Sequence, residues 1–261
     1  MKRLIFGLFL LGYVAGGATL SVPFELGKSA RAWSFLGADL ALPDSLGNPG
    51  ALGFIPAWEI SSTYASPFGI AEAWALSFLG PNFFGEATLV DAGEIGPALG
   101  FRVLAGQAGF GIKLSNLGFG TCARLLWSIQ PKAGLGWAWD LGFLSDGAVR
   151  IGILAEAVLS QPPSPQDRWP TTISLGLSLP FEFAGFSAVV AAAVRDVPVL
   201  PTWAVAAEIR VSPFTLVFSF GSRGLGLGGG LNFSWFRLEW AFTLSPDLPL
   251  SFRVSFGLTW F

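Results

Sequence analysis

Histidine is absent from the 261 residues, and cysteine occurs once, at Cys122. The first absence removes Ser-His catalysis, Cys-His catalysis and histidine metal sites together. The second rules out an internal disulfide and gives no metal cluster. Charge is scarce and balanced: 15 basic and 17 acidic residues make up 12% of the chain, and a net charge of −2 offers no basic field for nucleic acid. Long apolar runs are missing too. Beyond the first twenty residues, no stretch reaches the about 18 uninterrupted apolar residues that a membrane-crossing helix needs. The nearest is the run from Phe183 to Val194, bounded by Glu182 and Arg195. No enzyme constellation, metal or cofactor site is expected.

What is present is grease. At 52% hydrophobic the chain is too apolar for an ordinary soluble domain, and with helices excluded a closed barrel is the other backbone solution that lipid permits. The last twelve residues carry the pattern that such a barrel requires. Leu250, Phe252, Val254, Phe256, Leu258 and Trp260 alternate with Ser251, Arg253, Ser255, Gly257 and Thr259, as in a membrane strand of about 10 residues with lipid outside and a polar lumen inside. Trp260 has the lipid-facing parity, and the terminal Phe261 is one register off.

The amino terminus reads as a secretory signal over residues 1–18, with Lys2 and Arg3 before an apolar core from Leu4 to Val14 and the small residues Gly16, Gly17 and Ala18 before a cut. An uncleaved anchor helix is the alternative. A signal followed by a barrel places the mature chain in a Gram-negative-type outer membrane, with outer-membrane lipid and the barrel-assembly machinery as partners.

From Ala57 to Phe261 the alternation repeats. Trp58, Ile60 and Tyr64 oppose Glu59, Ser61 and Thr63; Trp74, Leu76 and Phe78 then face lipid, and Glu72, on the same parity, belongs at the rim. Gly80 to Ile95 is irregular and reads as a long loop or a short extra strand. Gly96 to Ala105 and Gln107 to Asn116 read as two strands, the first with Leu99, Phe101 and Val103 outward and Arg102 inward, the second with Phe110, Ile112 and Leu114 outward and Lys113 inward. The remaining strands run to the terminus, interrupted by a proline-rich surface loop from Gln161 to Pro170. The expected fold is all-β, a transmembrane antiparallel barrel of fourteen strands, with twelve as the alternative. Tryptophans and phenylalanines read as interface girdles.

Thirteen charged residues have lumen parity: Glu59, Arg102, Lys113, Arg124, Asp140, Arg150, Glu156, Glu182, Glu208, Arg210, Arg237, Glu239 and Arg253. Seven basic against six acidic residues favours mutual pairing over selection of one ion sign.

Residues 19–56 differ in character. They are rich in Gly, Ala, Leu and Pro and show no sustained period of two. Arg31-Ala32, Gly37-Ala38, Ala41 with Asp44, and Asn48-Pro49-Gly50 form a spaced set within them. On residue chemistry alone this is an ordered loop in which Asn48-Pro49 starts a turn. The set resembles the amino-terminal hatch of the long-chain fatty acid transporter superfamily of outer-membrane barrels, which also holds the shuttle barrels of type IX secretion. There the corresponding tripeptide is Asn-Pro-Ala, so this chain departs at Gly50. The resemblance implies a plug inside the barrel and passage of hydrophobic, fatty-acid-like small molecules; a secretion shuttle or a structural binding barrel without transport is the alternative. Hatch side chains such as Leu26, Trp33, Phe35, Leu36, Leu40, Leu42, Leu46 and Leu52 either line a greasy pocket or pack against the wall.

Overall fold

The computed structural model describes residues 23–24, 28–69, 71–96, 99–130, 133–165, 167–245 and 248–261. The signal segment 1–18 and the hatch residue Leu26 lie outside them. The chain is all-β: fourteen antiparallel strands, each bonded to its sequence neighbours, close into one barrel through the pairing of β1 with β14. The strands are β1 (Trp58–Ser66), β2 (Glu72–Gly80), β3 (Phe83–Gly96), β4 (Leu99–Leu114), β5 (Leu117–Gln130), β6 (Gly134–Ser145) and β7 (Arg150–Gln161). They continue as β8 (Thr172–Phe183), β9 (Phe186–Val197), β10 (Thr202–Val211), β11 (Phe214–Gly221), β12 (Gly224–Asn232), β13 (Phe236–Ser245) and β14 (Leu248–Trp260). Within residues 28–56 a short helix, α1 (Ala30–Ser34), and two 3-10 turns, Ala38–Ala41 and Pro49–Phe54, precede them.

Fourteen strands are found, but two boundaries correct the sequence reading. Gly80 to Ile95 is the extra strand and not the loop, and it is long: most of it is the fourteen-residue β3, whose Glu86, Thr88 and Val90 are buried while Ala87 and Leu89 face out. Gly96 to Ala105 and Gln107 to Asn116 are one strand, β4, sixteen residues long. The omitted strand and the divided strand offset each other in the count. Gly106, Gly109 and Gly111 give β4 a broken look in sequence, while the ladder runs through them without a break to Leu114.

Continuity of β4 also fixes parity. Val103 and Ala105 are buried inside, and Leu104, Phe110, Ile112 and Leu114 are exposed outside. Arg102 therefore lies on the outward parity, where it bonds Asp91 at 2.5 Å rather than lining the lumen. About 10 residues cross the apolar layer, so the ends of these fourteen- and sixteen-residue strands stand beyond it, where the Arg102–Asp91 pair meets water. Glu72, opposite Asp91, sits at the same rim.

Elsewhere the alternation holds apart from local register shifts, as where Glu156 and Ala157 of β7 and Arg195 and Asp196 of β9 are buried in succession. In β8 the inward Thr172, Ser174, Gly176 and Ser178 are buried and the outward Ile173, Leu175, Leu177 and Leu179 are exposed. A continuous exposed apolar surface of this kind is foreign to soluble monomers.

Residues 28–56 pack against the inward face. A Cβ at Gly118, Gly120 or Gly152 would collide with the carbonyl oxygens of Gly50, Pro49 and Leu40, and one at Gly142 with the Asn48 side chain. Glycine here is a matter of space, not of backbone torsion. The apolar hatch residues pack against small wall residues: Phe35 and Leu42 with Ala191, Ala204, Ala206 and Val217, and Leu40 with Leu154 and Ala193. The loop between β7 and β8 departs from the expected surface position. Trp169 is buried with Phe24, Val103 and Leu126, and Pro163 lies against the inward Gly134 and Gly136, because the inward side of the upper wall is small and apolar and offers a ring better shelter than water.

Gly120→Ala is expected to destabilise the folded barrel by roughly 1–3 kcal/mol, the range for forced overpacking, whereas Gly85→Ala, whose Cβ would approach nothing closer than the Phe83 ring at 3.8 Å, changes little. Heat conversion of the folded form in detergent, followed by gel migration, measures both.

Candidate functional site

The site grows from α1. Its first turn is capped by Ser29, whose hydroxyl accepts from the Ala32 amide, which settles the short helix in position against β13 and points Arg31 at β10. The Arg31 guanidinium donates to Glu208 through Nε and Nη2, and to Asp44 at 3.3 Å. Arg210 donates to Asp44 at 2.6 Å and to Glu208 at 2.5 Å. Two arginines and two carboxylates thus alternate in a closed ring that joins α1, the turn at Asp44 and β10. The Arg31 amide donates to Glu239, and Arg237 bonds both Glu239 and Glu59.

Burial alone would raise the Asp44 carboxyl, but Arg31 and then Arg210 outweigh it and hold it well below the usual carboxylate range. Burial likewise opposes the Arg31 charge, and Asp44 and Glu208 more than offset that, so its guanidinium is held above its ordinary value. Asp44 keeps 43% of its side chain in solvent, which weakens its share of the effect. A cavity of about 400 Å³ opens beside the ring, lined by Arg31, Asp44, Arg210, Thr215, Asn232 and Glu239. It lies at the barrel end that carries the carboxyl terminus.

The Asn48-Pro49-Gly50 step fixes the rest of the segment. Asn48 Nδ2 donates to the carbonyls of Leu40 and of Phe143 in β6, and its Oδ1 accepts from the Gly50 amide. Pro49 opens the 3-10 turn. A Cβ on Gly50 would stand 2.8 Å from both Leu144 N and the Phe143 carbonyl carbon, so the departure from alanine at this position lets the turn lie directly on the wall.

A second cluster sits deeper. Arg124 pairs with Asp140 at 2.6 Å and with Glu156 at 3.3 Å, and Glu156 also meets Arg195 at 3.5 Å. Phe24 and Trp169 flank the Arg124 guanidinium, with ring centroids 5.3 and 5.8 Å away. A small chamber of about 50 Å³ lies beneath, lined among others by Leu52, Phe84, Glu86, Gln107 and Cys122. Of the other residues expected in the lumen, Arg253 stacks on Trp33 at 4.1 Å, Arg150 bonds Asp146 at 2.6 Å, Lys113 lies over the Phe54 ring, Arg237 and Glu239 belong to the first cluster, and Glu182 is exposed at a strand end.

Sequence reasoning missed Phe24, Glu86, Gln107, Trp169 and Arg195. Arg195 could have been found, since it shares the parity of the buried Ala191 and Ala193. Among the described residues, no group of three or more Cys, Asp or Glu side chains is placed to hold a metal.

No family model matches the sequence, and no curated protein matches it. Solved structures do. The Ralstonia pickettii toluene transporter TbuX aligns over 91% of this chain and 100% of its own, at 11% identity and a TM-score of 0.59. The fold is that of an outer-membrane β-barrel. The Acinetobacter baumannii outer membrane protein Omp33 aligns over 80% of this barrel and 100% of its own chain, at 6% identity and a TM-score of 0.53. The Pseudomonas putida toluene transporter TodX aligns over 81% and 90%, at 14% identity and a TM-score of 0.50.

A carboxyl held below its unfolded value stabilises the fold fully above about pH 5 and progressively less as the pH falls from about 4 toward the folded-state value. The thermal transition of the wild-type barrel is therefore expected to drop further between pH 5 and pH 2 than that of Asp44→Asn, measured in the same detergent.

Proposed function

We propose that this barrel passes small hydrophobic molecules across the outer membrane of a Gram-negative-type bacterium, with residues 19–56 as its plug. The observation that carries the reading is the way the inner segment is held. Its second half, from Asn48 to Phe54, rests on the backbone of β4 to β6 through glycines, a contact with no give. Its first half is also docked, through α1 and the buried Phe35, Leu40 and Leu42, but the turn at Asp44 between the two meets solvent beside an open cavity, and the ion pairs of Asp44 with Arg31 and Arg210 can exchange for water. That turn is the releasable part between two fixed ones, as a gate requires.

The charge pattern of the lumen fits uncharged cargo better than ions. The chamber under Phe24 sets Leu52, Phe84 and Leu154 beside charged groups that are themselves paired, among them Arg124, Asp140, Glu156 and Arg195. Its inward arginines already face carboxylates, so no concentrated positive field favours a small inorganic anion. The solved barrels of similar fold include two described as toluene transporters, which agrees with hydrophobic cargo. Export through a cleaved signal and insertion by the barrel-assembly machinery complete the proposal, with outer-membrane lipid around the wall.

A second reading, a shuttle or structural barrel without transport, draws on the buried Trp169 and Phe24, which fill the lumen at the end opposite the carboxyl terminus. Uptake into liposomes carrying the refolded barrel separates the two. A labelled long-chain fatty acid and a labelled uncharged monoaromatic are offered to the wild type and to a variant lacking residues 19–52. Saturable uptake of either compound, altered by the deletion, is expected. Uptake no greater than in protein-free liposomes, with folding of both proteins confirmed, would replace transport with the second reading.

A further inference from the structure

The pairing of β1 with β14 joins the first strand of the wall to the last, and its ladder runs over nine residue pairs, from Trp58↔Trp260 to Ser66↔Phe252. On the lumen side, α1 rests mainly on β12 and β13 and reaches both strands of this seam through its first residue and through Trp33. The Ala30 amide donates to Ser255 Oγ of β14 at 2.7 Å, and that hydroxyl bonds Thr63 Oγ1 of β1 at 2.8 Å. Trp33 reaches further in both directions. Its Nε1 donates to Thr243 of β13, its ring carries the Arg253 guanidinium of β14 at 4.1 Å, and it packs on Ala65, Ala73 and Val90 of β1, β2 and β3. One side chain thereby joins β13 and β14 to a cluster that β1, β2 and β3 build on the other side of the seam.

The strands themselves are shaped for crossing. Glu59 of β1 reaches over β14 to Arg237 of β13 at 2.6 Å, and it can do so because Gly257 lies beneath: a Cβ there would stand 3.2 Å from the carboxylate. Arg237 continues to Glu239, which receives the Arg31 amide of α1. The bonds that cross the seam and the bonds that dock α1 are one connected set.

We infer that α1 is an internal clasp that fastens the barrel at its closing seam. This role is independent of what, if anything, passes through the lumen. The segment that precedes β1 supplies a surface to which both the first and the last strand bind, so docking of α1 and closure of the barrel reinforce each other. Loss of the clasp weakens the β1–β14 ladder selectively, while loss of a comparable contact elsewhere on the inner segment weakens the fold without singling out that ladder.

The test pairs two truncations with two staples in a Cys122→Ala background. Trp33→Ala removes the clasp; Leu40→Ala removes a buried contact of the same segment against β7 and β9, away from the seam. One staple is a disulfide at the outward, directly opposed Ser62→Cys and Phe256→Cys of the seam; the other joins Phe218→Cys and Leu227→Cys of β11 and β12. Each truncation is expected to lower the heat-conversion temperature by about 10 °C, the scale for deleting a large buried side chain in a chain of this size. The seam staple should return most of that loss to Trp33→Ala and little to Leu40→Ala, and the distant staple should rescue neither selectively; reduction should abolish the difference. A seam staple that rescues both truncations equally, or neither, overturns the clasp.

Discussion

A strand in lipid has no water to satisfy its amides, so the β1–β14 ladder is the interaction on which the rest of the structure depends. Without it two strands would present unpaired N–H and C=O groups to hydrocarbon, at several kcal/mol for each group. Closing fourteen strands solves that problem and creates another, because a ring of this size encloses more space than its own inward side chains fill. Here those side chains are small, and a length of the same chain occupies the middle. Its main chain then needs partners, and the wall supplies them: Ser178 donates to the Ala41 carbonyl and Ser219 to that of Ser34, while Ser29 and Asn48 cap the turns from within.

Charge inside the barrel follows the same rule of mutual satisfaction. Glu208, Glu239 and Arg253 are each 1% exposed, and an ion so deeply placed is tolerable only beside a partner of opposite sign. The arginines and carboxylates therefore come as connected groups that cross from strand to strand and into the inner segment. Such groups are better regarded as specifying one arrangement than as supplying a large net stability, since desolvation consumes much of what pairing returns.

The sequence was legible where a single physical preference governs a residue. Period-two alternation revealed the outward face of β6, β8 and β14, because lipid selects every second side chain without exception there. It failed at β3 and at the first half of β4, where glycines, alanines and charged ends blur the contrast between faces, and the parity of Arg102 and Val103 was misread as a result, while Phe110, Ile112 and Leu114 further along β4 were placed correctly. Trp169 was hidden for a different reason: a tryptophan in a proline-rich loop looks like surface, and only the shape of the upper lumen shows that it turns inward. Arg31, Asp44 and Asn48 stood out through their spacing, but the residues they bind could not be named from it, because Glu208, Glu239 and the Phe143 carbonyl are distant in the chain and meet them only after closure.

The glycines along β5, β6 and β7 have a consequence for how such a chain can vary. Three of them, Gly118, Gly120 and Gly152, meet carbonyl oxygens of the inner segment first, so what the wall inspects there is the route of a peptide backbone. Side chains along that route are free to drift provided the path stays the same, while a single methyl group added on the wall side blocks it. Constraint is thus concentrated in places where there is nothing to see, in missing atoms. A barrel fold that matches that of TbuX over nine tenths of this chain at 11% identity shows how little of such a contour is written in residue identity.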